Sequence, residues 1–257
     1  MRLKLWATSL IALVLSLPLS ADAQRQPPGR GGNPSTSSAD APRLVKAFVT
    51  DDRLSALRKE PDLRSQVVQR LRLRRPVFII GSGINKAGGP KFYRVAVTRR
   101  TRGWIHWAAL AMPSRPGDDA RVLQLAENAT DGLDRIALCL LLAEGFRNSP
   151  LVPQALLMLA REAEHSVAAL SKRVAKRVAG VDSQTANVRQ RDYYLSDASL
   201  DRLSRLGVSF DFDEAAGEYV YDGAAYRTIL RRFPTIASAK IARERLELVK
   251  QRLARRE

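Results

Sequence analysis

The chain has 257 residues, 45% of them hydrophobic, which is enough for a buried core in one or two globular domains and excludes a wholly low-complexity protein. Lys and Arg total 43 against 26 Asp and Glu, and the net charge of +17 predicts attraction to polyanions such as nucleic acid, anionic lipid or acidic wall polymer. The single Cys139 excludes an internal disulfide, so packing must supply the stability.

Residues 1–23 have the pattern of a secretory signal peptide. Arg2 and Lys4 precede an apolar run over residues 5–17, and Ala-Asp-Ala at 21–23 is a small-x-small cleavage site. The apolar run is too short for an ordinary membrane span. We therefore expect export to the periplasm or cell envelope, with no transmembrane helix after cleavage; the alternative is a retained amphipathic anchor. In that compartment nucleic acid is not an expected partner.

The next two segments differ sharply in composition. Residues 24–43 are rich in Pro, Gly and Ser without periodicity, which is typical of a flexible linker. Residues 44–113 contain short runs rich in Val, Ile, Phe, Tyr and Trp, including "RPVFIIG", "KFYRVAVT" and "RGWIHWA", several of them alternating. About five short strands in so short a segment favour a small all-β barrel.

Residues 114–257 show apolar residues at helical spacing and predict an all-α domain. The exception is "VSFDFDEAAGEYVYDG", whose alternation around a turn predicts a short hairpin at 208–221. Aligning Phe146 with Phe233 also places Ala155 on Ala242, so two helical hairpins of this region share positions. In each, small alanines permit close helix contact and the aromatic residue covers the end of the pair.

Residues 48–112 resemble bacterial SH3-like (SH3b) domains. The closing Gly-Trp-Val/Ile strand of that family matches Gly103, Trp104 and Ile105 in "RGWIHWAALA". The opening stretch of the family fits more loosely, at Leu54, Arg58 and Pro61. The helical hairpins, best in "YDGAAYRTILRRFPTIASAKIARERL", resemble tetratricopeptide-type repeats of bacterial envelope proteins. The expected fold is thus multi-domain: an SH3-like β-barrel followed by a tetratricopeptide-like helical domain.

These resemblances imply an exported, non-enzymatic adapter. SH3b domains commonly attach to cell-wall peptides or polymers, peptidoglycan among them, and helical repeats commonly bind protein partners. The expected ligand of the SH3-like domain is therefore a cell-wall peptide or polymer, or a protein segment. The basic surface adds attraction to an anionic membrane surface.

Alternation within "RGWIHWA" predicts the ligand-binding residues. It places Trp104 and His106 on one face of the strand, and Ile105 and Trp107 on the other. We expect Ile105 in the core, and Trp107 either inward beside it or covering the rim of the barrel. With Tyr93 from the neighbouring strand, Trp104 and His106 form the predicted groove, because aromatic side chains stack on sugars or contact peptide backbone. The alternative is that these side chains pack against the linker or the helical domain.

The sequence predicts no catalytic, metal or cofactor site. Cys139 lies mid-helix among apolar residues, and His165 lies on a charged helical face, so nothing pairs a nucleophile with a base. A zinc enzyme generally needs two histidines and a carboxylate at one site, whereas His106 and His165 fall in different predicted domains. Two other functions stay open: a cell-wall hydrolase with an unrecognised active site, and a purely structural envelope assembly factor.

Overall fold

The computed structural model describes residues 44–84, 89–179, 192, 197–213 and 216–254. Within these residues, one seven-stranded antiparallel sheet is followed by six helices, with a two-stranded hairpin between the fourth and fifth. The combination of a β region and an α region expected from the sequence is confirmed. The predicted signal peptide and almost all of the predicted linker, at residues 1–43, lie outside the described residues.

The strands of the sheet are short and occupy the first part of the chain. They are β1 Val45–Val49, β2 Ala56–Arg58, β3 Val67–Arg70, β4 Pro76–Ile84, β5 Lys91–Ala96, β6 Arg102–His106 and β7 Leu110–Ala111. A 3₁₀ turn, Trp107–Ala109, joins β6 to β7. The apolar runs of the sequence form these strands because alternate side chains can reach a shared core.

The sheet is curled, but no hydrogen bonds join its two edge strands, both of which the structure describes in full. Its order is β3-β2-β6-β5-β4-β1-β7, so within the described residues β3 and β7 are the two edges, and the closed barrel expected from the sequence is not formed. In a flat sheet β6 and β7 would lie about 19 Å apart, since four strand spacings separate them. The 3₁₀ turn between them advances only about 6 Å. The sheet must therefore bend back on itself.

The concave side of the curled sheet encloses a small core. Its buried residues are Ala47, Val49, Leu57, Leu71, Val77, Val95, Ile105, Ala109, Leu110 and Met112. Ile105 is fully buried, which confirms the inward orientation predicted from alternation in β6. Gly103 precedes it because β2 approaches closely: a Cβ at this position would lie 2.7 Å from the Arg58 carbonyl oxygen.

The helices follow β7. They are α1 Asp118–Glu127, α2 Gly132–Gly145, α3 Val152–Val178, α4 Ala198–Arg205, α5 Ala224–Arg232 and α6 Ala237–Ala254. Between α4 and α5, β8 Phe210–Asp213 pairs antiparallel with β9 Glu218–Tyr221, in the segment where alternation predicted a hairpin. Asp131 is the N-cap of α2: its carboxylate accepts a hydrogen bond from the Leu133 N–H at 2.8 Å.

The two helical hairpins that share sequence positions also share local geometry. Phe146 ends α2 and Phe233 ends α5, with similar backbone angles (φ −114°, ψ 50° and φ −137°, ψ 55°). Ala155 and Ala242 are both fully buried, so each permits the close helix contact predicted for it. The hairpins differ in length, because α3 has 27 residues and α6 has 18.

The sheet packs directly on the helices. Phe48 of β1 is buried in the helical core, next to Gly145, where a Cβ would lie 3.0 Å from its ring. The described residues, from 44 to 254 with the gaps given above, form one compact unit. Among the described helices, none combines the length and the apolar character needed to cross a bilayer.

Candidate functional site

The outer face of β6 carries Trp104 and His106, as alternation predicted. Trp104 pairs with Arg58 of β2 on one side and with Arg94 of β5 on the other. Directly opposed residues of antiparallel strands present their side chains on the same face. The half-buried indole of Trp104 therefore lies in a row with two arginines. We call Trp104, His106, Arg58 and Arg94 the aromatic face.

Gly83 of β4 determines the position of the Trp104 ring. A Cβ at residue 83 would lie 2.9 Å from Cζ3 of Trp104, which is closer than real side chains come. The missing side chain lets the indole lie against the β4 backbone. Gly81, two residues earlier, is different, since a Cβ there would meet only the Arg94 Cβ at an ordinary 3.7 Å.

His106 has a structural role at the end of β6. Its Nδ1 accepts the Ala108 N–H at 3.3 Å and so caps the 3₁₀ turn. Its ring meets Phe92 edge to face, with centroids 5.6 Å apart. Burial lowers the pKa of His106, and the nearby Asp51 carboxylate opposes this. The neutral imidazole, with a free Nδ1 lone pair, is the form that the cap requires.

Tyr93 does not join the aromatic face. It pairs with Ile105, so its side chain lies on the core side of the sheet and packs against the sheet core. Phe92 and Arg94, its neighbours in β5, lie instead on the face of Trp104 and His106. The structure thus brings together two of the three predicted ligand-binding residues and adds Arg94 and Arg58, which sequence reasoning missed. The grouping of Trp104 with these two arginines, and the absence of Tyr93, follow from the register of the strands.

Trp107 leaves the strand rather than continuing it inward. It begins the 3₁₀ turn, and its side chain is 40% exposed. The Arg115 guanidinium carbon lies 6.0 Å from its ring centroid, a cation–π contact that lies at the outer limit of such interactions. Trp107 therefore covers the rim of the sheet region.

Cys139 and His165 occupy different environments. Cys139 is fully buried in the helical core, as its position among apolar residues predicted, and burial raises the pKa of its thiol to about 12. His165 is exposed on α3. Within the part of the chain that the structure describes, no group of three His, Cys, Asp or Glu side chains is placed to hold a metal ion.

A groove of about 590 Å³ lies between α3, β9 and α6. Ion pairs cross it: Arg245 to Glu164 at 3.6 Å, and Arg252 to Glu218. Leu248 lines the same groove and is 50% exposed. Exposed apolar and charged groups along one groove are suited to a peptide or helix of a partner protein.

No protein family, curated protein or solved structure matches the chain.

Proposed function

We propose that the protein is an exported, non-enzymatic adapter of the cell envelope. Its sheet region acts as an SH3-like domain that binds a cell-wall peptide or polymer, or a protein segment, and its helical region binds a protein partner. The observation that carries the proposal is the half-buried Trp104 indole, which lies against Gly83 and is flanked by Arg58 and Arg94.

The aromatic face matches the chemistry of a wall polymer. An indole face stacks on a sugar ring or contacts a peptide backbone. Guanidinium groups bind carboxylates through two parallel hydrogen bonds, and wall peptides carry carboxylates. Arg58 is already oriented, because its Nη1 donates to the Ser65 carbonyl at 2.7 Å. A ligand combining sugars with acidic peptides therefore meets both kinds of group at once.

Two features support the SH3-like assignment of the sheet region. The antiparallel sheet curls around a small core of its own. Its β6 strand contains the closing Gly-Trp-Ile sequence, with Gly103 required by the close approach of β2. The tetratricopeptide-like assignment of the helical region is supported by the matching caps at Phe146 and Phe233. The partner groove is the one between α3, β9 and α6.

Binding of the purified protein to peptidoglycan at low and moderate salt tests the proposal. Trp104→Ala removes the stacking surface, and Gly83→Ala keeps the indole but displaces it. We expect both variants to lose the salt-resistant part of the binding. Gly81→Ala is the matched control on the same strand, because its new Cβ meets only an ordinary contact; it should bind like the parent protein.

Binding that vanishes with added salt and is equal in all four proteins would leave charge attraction alone and refute the aromatic face as a site. One observation favours a second function, a structural assembly factor: Phe48 of the sheet is buried in the helical core. A protein that binds no wall material at any salt concentration, yet co-purifies with an envelope complex, would support that function instead.

A further inference from the structure

The turn at residues 72–75 has a strained backbone. The Arg75 N–H donates to the Arg72 carbonyl at 3.1 Å, which closes the turn. Arg74 occupies its third position with φ of 67°, the one non-glycine residue with positive φ in the described part of the chain. Turns with positive φ at this position ordinarily take Gly or Asn. Such strain is often retained where a side chain has a function.

The turn is held rigidly between the sheet and the helices. The Arg74 N–H donates to the Val49 carbonyl at 2.9 Å, and the Val49 N–H donates to the Arg75 carbonyl at 3.1 Å. Leu73 packs against the helical core, and the Arg74 guanidinium pairs with Glu144 of α2 at 2.8 Å. The backbone of this turn, which carries three arginines, is therefore held close to the end of α2.

A cleft of about 420 Å³ opens between this turn, β1 and the end of α2. We call it the basic cleft. It is lined by five cationic side chains, Lys46, Arg72, Arg74, Arg75 and Arg147, and by one carboxylate, Glu144. The apolar side chains of Phe48, Leu73 and Leu141 complete the lining of the cleft.

Most of these cations lack an anionic partner. Only Arg74 is paired; across the described residues no carboxylate lies within 4.0 Å of the charged groups of Lys46, Arg72, Arg75 or Arg147. Guanidinium groups converging on one cleft are suited to phosphate, whose oxygens each accept from a different N–H. The cleft is large enough for a phosphate with its attached glycerol.

Exposed apolar side chains lie beside the cleft on the sheet side. Leu44, just before β1, and Phe78 and Ile80 of β4 are all more than a third exposed. Phe78 pairs with Lys46 across β1 and β4, so the apolar and cationic groups are continuous. Cations beside exposed apolar side chains are typical of proteins that lie on an anionic bilayer surface. A soluble phosphate would gain nothing from the apolar part.

We propose that the basic cleft binds the phosphate of an anionic phospholipid headgroup, while Phe78 and its apolar neighbours contact the bilayer interface. The inference rests on the proposed envelope location but uses a different surface from the aromatic face. In this proposal, attraction to an anionic membrane comes from one defined site and not only from the overall positive charge of the protein.

Co-sedimentation with vesicles of phosphatidylcholine, with and without phosphatidylglycerol, tests this proposal. Arg72→Gln with Arg75→Gln removes two exposed, unpaired cations of the cleft. Lys176→Gln with Arg177→Gln is the matched control, because it removes the same charge from exposed positions at the far end of α3, roughly 36 Å along the helix from its start. Phe78→Ser tests the apolar contact.

The parent protein should bind only the vesicles that contain phosphatidylglycerol. The cleft variant should bind them about tenfold more weakly or worse, and the control should bind like the parent, since each surface cation contributes mainly when it reaches the headgroups. Phe78→Ser should also weaken binding. Equal loss in the cleft variant and the control, or no vesicle binding by the parent, would overturn the lipid site.

Two further measurements separate the outcomes. Calorimetric titration with inorganic phosphate is the soluble arm: binding of phosphate without binding of vesicles refutes the lipid assignment. Trp104→Ala should retain vesicle binding, and the cleft variant should retain salt-resistant peptidoglycan binding. Loss of both activities in both variants would show that the two surfaces are not independent, which contradicts this inference but not the wall-binding proposal.

Discussion

Arg74 and His106 are single residues whose conformation or protonation state is constrained by their neighbours. Arg74 is held in the left-handed region by hydrogen bonds to β1, and His106 is held neutral by burial while it caps the turn after β6. Substitution of either residue should therefore change the free energy of unfolding, or its pH dependence, in a way that substitution of an unconstrained exposed residue would not.

Replacement of Arg74 should reveal the backbone strain directly. Arg74→Ala removes the guanidinium but keeps a Cβ at φ of 67°, whereas Arg74→Gly removes both. Because a left-handed conformation costs a non-glycine residue about 1–2 kcal/mol, Arg74→Gly should be more stable than Arg74→Ala by about 1 kcal/mol. Urea unfolding of the two variants measures this difference. An alanine variant as stable as the glycine variant would show that the turn relaxes.

Stability should depend on pH through His106. Its pKa is lowered in the folded state, so the unfolded chain binds the proton more readily. The contribution of the neutral imidazole is complete above 6.5, the ordinary pKa, and is lost as the pH falls below that value. His106→Asn keeps an acceptor for the Ala108 N–H but does not titrate. The stability of the parent relative to this variant should therefore fall over the pH range below about 6.5.

The matched comparison cancels the carboxylates that titrate equally in both proteins. A free-energy difference between parent and His106→Asn that stays constant across this range in urea unfolding would contradict the assignment of the cap to the neutral imidazole.

At the level of elements, a buried carboxylate joins the last strand of the sheet region to the first helix. Asp118, at the start of α1, accepts the Met112 N–H at 2.7 Å and pairs with Arg115 at 2.7 Å. Arg121 of α1 donates to the carbonyls of Ala108 and Leu110, which flank the end of the 3₁₀ turn. The end of the sheet region is thus attached to α1 by hydrogen bonds as well as by packing.

The Arg121 Nε also lies 3.4 Å from the Asp118 carboxylate. Asp118→Ala should destabilise the protein by about 3 kcal/mol, because it leaves the Met112 N–H, Arg115 and Arg121 without their buried acceptor. The neighbouring Asp119, which accepts from the Ser149 hydroxyl at 2.7 Å and is less buried, gives the comparison. Asp119→Ala should cost about 1 kcal/mol. Chemical denaturation measures both losses of unfolding free energy. Equal losses would show that the buried hydrogen bonds of Asp118 stabilise the protein no more than the more exposed one of Asp119.

The strand and helix regions were predictable from the sequence because their apolar residues recur at different spacings. The burial of Ile105, between Trp104 and His106, was predictable from the alternation of the strand. The side of Tyr93 was not predictable, since "KFYRV" alternates imperfectly and a one-residue change of register reverses every side chain. Closure of the sheet depends on hydrogen bonds between β3 and β7, for which the sequence carries no local signal. For Trp107 the sequence left an inward position and a position at the rim equally open, because it does not show that His106 ends the strand by capping the next turn.

The basic cleft was also beyond sequence reasoning. "RLRLRRP" reads as a solvated basic stretch, and nothing local indicates that residues 72–75 form a turn with positive φ at an arginine. Arg147 lies more than seventy positions away and approaches only because Phe48 and Leu73 pack on the helical core. Convergence of such distant charges is a property of the tertiary fold.

At the scale of the whole molecule, the sheet and the helices share a core, so their stabilities are linked. Phe48 and Ala111 of the sheet region belong to the same buried cluster as α2 and α3. The aromatic face and the basic cleft are therefore carried by one compact unit, and a ligand on the sheet is held at a fixed position relative to the partner groove.

Unfolding should accordingly be a single transition. Phe48→Ala should lower the free energy of unfolding by about 3–5 kcal/mol. In the protein without residues 1–23, which contain Trp6, it should shift both the fluorescence of Trp104 and Trp107, which reports the sheet region, and the helical far-UV signal. Phe78→Ala, on the adjacent strand but 40% exposed, should cost about 1 kcal/mol or less. Two separate transitions, with Phe48→Ala affecting only one, would show that the regions unfold independently.

The central claim is that the aromatic face binds a wall ligand through Trp104. The most direct test is a nuclear magnetic resonance titration of the protein with soluble peptidoglycan fragments, following the indole N–H signals of Trp104 and Trp107. We predict a saturable shift of the Trp104 indole and of the Gly83 amide, with little change at Trp107. Saturable shifts confined to the helical region, or none at Trp104, would contradict the claim.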